Sequence, residues 1–318
     1  TPGTAPDIGS LVAMTDAIRR RGPDAEGVWH CCENGIAMGH RRLSVLDLSV
    51  AGAQPMHSGC GRYILTFNGE IYNHFDLRAA LRSVKAESDW HGHSDTETLL
   101  AAIARWGLVD ALRRAHGMFA LALWDTVTRQ LFLARDRIGE KPLYLGRIPD
   151  GWAFGSDLKA LLLAPGFQPK LCADAIRAYL EFGYVPDKHC IYEGVQKVQP
   201  GHIVMLDGDA APEFIPYESF LSLAETGLRQ RGQNAGRDES AMLCDVEDSL
   251  LLAIDQQCLS DVPLGSFLSG GVDSSLVTSL MKCQSATQVQ SFSIGFDVAR
   301  FNEAPHAAKV AQHLGTAH

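Results

Sequence analysis

Long apolar runs are missing from this 318-residue chain, and none of its segments approaches the roughly 20 residues a helix needs to cross a bilayer. The first residues, Thr1-Pro2-Gly3-Thr4-Ala5-Pro6, have neither the basic start nor the apolar core of a secretory leader. Basic charge is in short supply, with 28 Lys and Arg against 37 Asp and Glu and a net charge of −9. The one Arg-rich stretch, Arg19-Arg20-Arg21, is too short for an electrostatic footprint, so neither nucleic acid nor an anionic membrane is expected as a partner. The eight cysteines are scattered, with Cys31 and Cys32 adjacent and no C-x-x-C pair, which excludes a zinc cluster or thioredoxin-type site of that spacing. Such scatter suits a reducing cytoplasm, which is the location expected. There is no internal repeat and no low-complexity segment. What remains is ordinary globular composition, 46% hydrophobic and 20% charged, in a chain long enough for two domains.

The most informative stretch is Ser269-Gly270-Gly271-Val272-Asp273-Ser274-Ser275. It follows an apolar run ending at Leu268 and precedes Leu276 to Met281, which reads as the start of a helix. Strand, Gly-containing turn and helix N-terminus together present free backbone N–H groups to an anion. The glycines allow close approach, the serines add hydroxyl donors, and successive N–H groups form a concave nest. Asp273 would repel a bare phosphate but fits if Mg²⁺ stands between them. The Lys of a Walker loop is missing. The motif therefore reads as a pyrophosphate cradle, suited to breaking ATP between its α and β phosphates. The competing reading is an ordinary turn with Ser274-Ser275 as an N-cap pair.

Periodicity places a helix near residues 9–20, short strands at 35–40 and 63–67, and a helix from Thr96 to Trp106. A hairpin is expected at 118–125 and 130–135, strands at 143–146 and 152–154, and helices at 157–163 and 174–182. From Asp207 to about Arg237 the chain turns polar and Gly-containing, the expected linker. A helix from Glu239 to Cys258 follows, with Leu243, Val246, Leu250, Leu251 and Ile254 as its core stripe. Strand, pyrophosphate turn, helix and the strand at 290–296 then open a doubly wound parallel sheet.

A second set of polar groups lies in the N-terminal half. Asn68-Gly69-Glu70 interrupts an apolar strand, Arg42 follows Gly39-His40-Arg41, and Ser94-Asp95 precedes the Thr96 helix. Singly these could be a type I′ hairpin turn, a surface charge and an N-cap. Together they offer a cation for a carboxylate, two acids for an ammonium, and an amide plus a backbone N–H for an oxyanion. That inventory suits binding an α-amino acid and hydrolysing its side-chain amide.

Arg21-Gly22-Pro23-Asp24, Gly39 to Ser44, Gln54-Pro55-Met56, Phe67 to Asn73, Ser94 to Glu97, Gly117 to Ala120 and Arg135 to Tyr144 resemble the glutaminase domain of glutamine-hydrolysing asparagine synthetases. Leu268 to Ser275 and Ser291 to Phe296 resemble the opening of that family's ATP-pyrophosphatase domain. The resemblance implies an α+β N-terminal-nucleophile αββα sandwich. It is followed by the start of an α/β doubly wound parallel sheet of the adenine nucleotide α-hydrolase type. It divides the chain into a glutaminase domain at 1–206, a linker at 207–237 and an ATP-binding domain from 238 to 318, with both domains truncated.

By the same resemblance Arg42 would hold the glutamine α-carboxylate, Leu43, Ser44, Val45 and Leu46 would line the pocket, and Glu70 and Asp95 would hold the α-ammonium. Asn68 and the Gly69 N–H would form the oxyanion hole. Leu268 and Ile294 would contact adenosine. Ser269, Gly270, Gly271, Asp273, Ser274 and Ser275 would hold the pyrophosphate, with Asp273 on Mg²⁺. The implied reaction joins ammonia from glutamine to a β-aspartyl-AMP made from aspartate and ATP, in a cytoplasmic enzyme whose assembly would be a homodimer.

Two departures from the family pattern stand out. Its Cys-Gly-Ile start is absent, with Thr1-Pro2-Gly3 standing too close upstream of Arg21-Gly22-Pro23, so the Cys nucleophile is absent from the chain, and its downstream Ser-Gly-(Glu/Asp)-Gly-(Ser/Ala)-Asp-Glu motif lies beyond His318. The chain is therefore expected to be a fragment, inactive by itself. A β-lactam-synthetase-like or other carboxylate-amidating relative, and a non-catalytic glutamine- or nucleotide-binding remnant, remain alternatives.

Overall fold

A computed structural model describes residues 6–83, 90–231, 236 and 238–318. The chain divides into two compact units, one running to Leu228 and one from Arg229.

The first unit contains α1 (Ile8–Asp16), β1 (Ala25–Cys31), β2 (Ile36–Arg42), β3 (Met56–His57), β4 (Tyr63–Ile71), α2 (His74–Ser83), α3 (Asp95–Trp106), α4 (Leu108–Arg114) and β5 (Gly117–Asp125). It continues with β6 (Gln130–Arg135), β7 (Tyr144–Ile148), β8 (Gly151–Gly155), α5 (Leu158–Leu161), α6 (Ala173–Phe182), β9 (Val195–Lys197), β10 (His202–Leu206), β11 (Glu213–Pro216) and α7 (Phe220–Arg231), the last of which crosses the division between units.

An antiparallel six-stranded sheet in the order β11-β10-β6-β5-β4-β3 forms the centre. Successive side chains of a strand point to opposite faces, and here both faces are covered. Leu65, Phe67, Phe119, Leu121 and Leu123 face α2, α3 and α4 through Leu77, Leu81, Leu99, Leu100, Ile103 and Leu112. Ile64, Ala120, Ala122, Trp124, Leu131, Leu133, Val204 and Leu206 face the other way, onto Met38, Leu143, Leu145 and Val198. This second layer comes in two pieces, the hairpin β1-β2 and the three-stranded β8-β7-β9. Outside it α1 packs on β2 and α5 on β8. At Gly39 of β2 an added Cβ would stand 2.3 Å from Thr15 Cγ2 of α1, so only glycine permits that approach. Helix, sheet, sheet, helix is the αββα sandwich of N-terminal-nucleophile enzymes.

The second unit holds α8 (Glu239–Gln257), β12 (Gly265–Phe267), α9 (Val272–Gln284), β13 (Gln290–Phe292) and α10 (Ala304–Leu314). Strands β12 and β13 are parallel, with α9 as their crossover, the opening step of a doubly wound sheet. Ser266 and Thr278, both buried, bond hydroxyl to hydroxyl at 2.8 Å and fix α9 on β12.

Several expectations change in detail. The 207–237 stretch contains β11 at the edge of the central sheet and the buried Tyr217, whose hydroxyl donates to Arg135 O at 2.9 Å; residues 232–235 and 237 lie outside the described set. In α8 only Ile254 of the expected stripe is buried, while Leu243 and Val246 are 64% and 57% exposed. The stripe pattern is helical, but α8 is covered only toward its C-terminal end, where Gln284 of α9 donates to Leu251 O. Among the described residues no helix is long and apolar enough to cross a membrane.

Candidate functional site

The space between the two sheets opens into a cavity of about 1010 Å³. Strand β4 builds one wall. Its apolar Ile64 lies in the sandwich core, and two, four and six residues on, Thr66, Asn68 and Glu70 line the cavity. The period of two thus turns one strand face from core into site. Asn68-Gly69 lies inside this unbroken strand, opposite Ala120 and Phe119 of β5, so the hairpin-turn reading is overturned. Gly69 is required by close approach, because a Cβ there would stand 2.2 Å from Met118 O.

The outer edge of β4 carries a row of amides. Phe67 N–H donates to Gln54 Oε1 at 2.6 Å, and Ile71 N–H donates to Asp95 Oδ2 at 2.8 Å. On the other edge Tyr72 N–H donates to His116 O. By alternation the Gly69 N–H points to the outer edge, between two amides that side chains already hold. The Asn68 side chain reaches Ser156 Oγ at 3.4 Å from within the same cavity.

Strand β2 builds the facing side, and here adjacent arginines diverge. Arg41 also borders the cavity, but its guanidinium is paired with Glu26 and Asp16. Arg42 lines the cavity, yet much of its planar fork is already engaged: Nη1 donates to Ser49 O at 2.9 Å, and Nη2 to Leu46 O at 3.4 Å and to Asp47 O. Arg42, expected to hold the glutamine α-carboxylate, also shapes the loop that follows it. Leu43, Val45 and Leu46 of this loop line the cavity. Ser44 does not; its N–H donates to Asp24 Oδ2 at 2.8 Å.

Two acids face this space. Asp95 is 6% exposed and accepts from the Ile71 and Thr96 amides, yet burial pushes its pKa up to about 6. Glu70 is pushed up to about 7 by burial and by the Asp95 charge, against an opposing pull from Lys141. An Asp95 charge that disfavours the Glu70 anion makes the pair an environment suited to a cation. His40, on the same strand as Arg42, is held down to about 4 by burial and by the Arg42 charge, so its imidazole is neutral at physiological pH.

Sequence reasoning missed three contributors. Gln54 holds the β4 edge, and Lys141 faces Glu70 from a loop whose amides converge on the buried Asp136. Asp47 is buried with φ 54, the left-handed region that Asp tolerates better than most residues. The signal for Asp47 was there: Asp-x-Ser is an Asx-turn pattern, and Ser49 donates to Asp47 through both N–H and Oγ. None of the eight cysteines lines the cavity, and Thr1 to Ala5 lie outside the described residues.

The second unit places its serine-rich turn at the carboxyl end of β12. Gly270 has φ 83 and lies so close to α10 that a Cβ would meet Ala307 N at 2.9 Å, which selects glycine twice over. Gly271 caps α9 with no side-chain bond of its own. Ser269 Oγ meets Ser274 Oγ at 2.9 Å and accepts from Gly271 N, while Ser275 Oγ donates to Gly271 O at 2.7 Å. Asp273 is exposed in the first turn of α9, and Ile294 is 69% exposed. Leu268 departs from expectation. Its side chain is buried against Ala307 and Ala311 and is not presented to a ligand. Among the described residues no group of three or more His, Cys, Asp or Glu could hold a metal alone. One carboxylate beside an N-terminal nest still fits Mg²⁺, which takes most of its ligands from water and phosphates.

Residues 3–217 match the family model of the glutamine amidotransferase domain. The chain belongs to this family. Residues 245–318 match the model of asparagine synthase. Asparagine synthetase [glutamine-hydrolyzing] 1 of Bacillus subtilis is 33% identical over 302 residues, covering 95% of this chain and 45% of the relative. Amidase chry2 of Gibberella zeae is 33% identical over 274 residues, covering 86% of this chain and 39% of the relative. The chain spans about half the length of the curated relatives it matches. Among solved structures, glutamine phosphoribosylpyrophosphate amidotransferase from B. subtilis aligns with a TM-score of 0.50 at 17% identity, over 68% of this chain and 48% of that one. This last likeness shows the fold of the amidotransferase unit.

Proposed function

We propose that the protein is an ATP-dependent, glutamine-hydrolysing amidating ligase, an asparagine synthetase with free aspartate as acceptor. The observation that carries the reading is the convergence of Arg42, Asn68, Glu70 and Asp95 on one cavity. Glu70 and Asp95 take the substrate ammonium, whose charge relieves their mutual repulsion. Arg42 and its loop take the α-carboxylate. The glutamine side chain then runs along β4, with its carbonyl oxygen at Asn68 Nδ2 and the Gly69 N–H. These two donors stabilise the oxyanion as the amide carbon becomes tetrahedral.

In the second unit the turn from Ser269 to Ser275 takes the nucleotide pyrophosphate. The serine hydroxyls, now held by one another or by Gly271 O, rotate toward phosphate oxygens, and Ile294 offers an exposed apolar surface to the adenosine. Mg²⁺ bound at Asp273 would neutralise phosphate charge there. The 33% identity to an asparagine synthetase supports aspartate as acceptor. The test uses the product of the full open reading frame. Glutamate release that requires Asn68, together with aspartate-dependent ATP–pyrophosphate exchange, supports the proposal; exchange driven by a different carboxylate would reassign the acceptor.

A further inference from the structure

The proposed amino-acid site has two halves: the Arg42 loop for a carboxylate, and the Glu70–Asp95 pair for an ammonium. Asp47 bridges them. It sits in the loop that Arg42 wraps, and its own carbonyl is one of the three that Arg42 holds. Its carboxylate accepts from Ser49 N at 3.1 Å and from Ser49 Oγ within the loop. The same carboxylate then leaves the loop: Oδ2 accepts from His93 N at 2.8 Å, with His93 Nδ1 at 3.8 Å. His93 is two residues before Asp95. Next to it Ser94 caps α3 by accepting from Glu97 N, and Asp95 holds the Ile71 amide beside Glu70.

Close packing leaves this bridge little play. A Cβ on Gly92 would stand 2.0 Å from Asp47 Oδ2, and one on Gly52 would stand 1.9 Å from Arg42 Nη2. Burial pulls the Asp47 pKa upward, but the Ser49 and His93 donors outweigh it and hold the carboxyl below its usual range, so the bridge is anionic at physiological pH.

We infer that Asp47 is a positioning residue that sets the spacing between the carboxylate-binding and ammonium-binding halves of the site. The inference rests on the proposed glutamine site. A ligand carrying both charges must fit that spacing, whereas one carrying a single charge need not. The strength of Asp47's contribution should therefore depend on how many charges the ligand has, which a merely stabilising residue would not show.

The experiment compares glutamine with glutaramate, the same amide without its α-amine, in the full-length protein. Asn suits the left-handed backbone at position 47, so Asp47→Asn removes the charge with least strain. It should raise the glutamine KM about tenfold, in line with loss of a hydrogen bond to a charged group, with kcat within about twofold. The inhibition constant of glutaramate should stay within about twofold of the unmodified protein. Ser49→Ala, at an exposed residue, should raise the glutamine KM by about threefold, following loss of a single weaker donor. An unchanged glutamine KM, or an equal loss for both ligands, overturns the inference. If Asp47→Asn does not fold, the Ser49→Ala measurement decides by the same criteria. Glutaminase activity that is present yet indifferent to these variants overturns this inference alone; absence of that activity from the unmodified protein overturns the site reading as well.

Discussion

The two units handle charge in opposite ways. In the first, a buried and a half-buried carboxyl lie in a sandwich, where burial raises both pKa values, and side chains hold the Phe67 and Ile71 amides on either side of the Gly69 N–H. In the second, the serine-rich turn lies at the surface, where the Ser269 and Ser274 hydroxyls bond to each other and the Ser275 hydroxyl donates to Gly271 O. A site for a small zwitterion must discriminate, and discrimination comes from rigid, desolvated groups that lose much when unpaired. A site for a pyrophosphate has several charges to work with, so an exposed helix N-terminus and nearby hydroxyls suffice. Single substitutions in the first unit should therefore act sharply, and those in the second gradually.

The sharpest effect is expected at the oxyanion donors. Asn68→Ala should lower kcat for glutamate release by about 10²–10³, the usual consequence of losing one such donor. Synthesis from added ammonia should be nearly unchanged, and a matching loss there would move Asn68 out of glutamine chemistry. Next comes the carboxylate side. Arg42→Lys should weaken glutamine binding by about 10- to 100-fold, because an ammonium can reproduce neither the fork on three carbonyls nor a contact with the substrate. Equal affinity in calorimetry would contradict the loop-shaping role.

A smaller effect is expected in the second unit. Asp273→Asn should reduce ATP–pyrophosphate exchange several-fold at limiting Mg²⁺, with the deficit closing as Mg²⁺ rises, since phosphates and water supply most of the metal's ligands. Exchange that is equal at every Mg²⁺ concentration would leave Asp273 as a helix-end acid only. The smallest concerns stability. Burial and the Asp95 charge push the Glu70 pKa up to about 7, above the usual glutamate value of 4.5. The folded state therefore holds the extra proton between those values, and stability rises as pH falls through about 7. Above that pH the buried charge costs stability, so Glu70→Gln should raise Tm at pH 8 by about 2 °C, for a unit of this size, and by less at pH 5. A drop in Tm at pH 8 would show that Lys141 outweighs the burial.

Much of the first unit was legible because its strands alternate cleanly. The hairpin β5-β6 and the helix α3 fall where periodicity places them. Ser94 and Asp95 show why competing local readings need not exclude each other: Ser94 is the N-cap, and Asp95 turns inward to the cavity. The competing turn reading of Asn68-Gly69 fails because local preference cannot see that Met118 O crowds the Gly69 position across the sheet. The apolar stripe of α8 was legible but its burial was not, since coverage depends on what packs against it. Leu268 was assigned from motif position alone, and the close approach of α10 turns its side chain inward. Asp47 was overlooked because its partner His93 is 46 residues away and the bridge exists only after folding.

The central claim is that Glu70 and Asp95 jointly bind the ammonium of glutamine, and the pH dependence of binding tests it most directly. Glutamine should be titrated calorimetrically into the full-length protein at pH 8 and pH 6, with Glu70→Gln as the comparison. In the free protein Glu70 is largely protonated at pH 6 and must lose that proton to accept an ammonium. Affinity should therefore fall about tenfold from pH 8 to pH 6, with proton release on binding, while Glu70→Gln binds more weakly and changes by less than about twofold over the same range. Equal affinity of the unmodified protein at both pH values, with no proton released, would contradict the account.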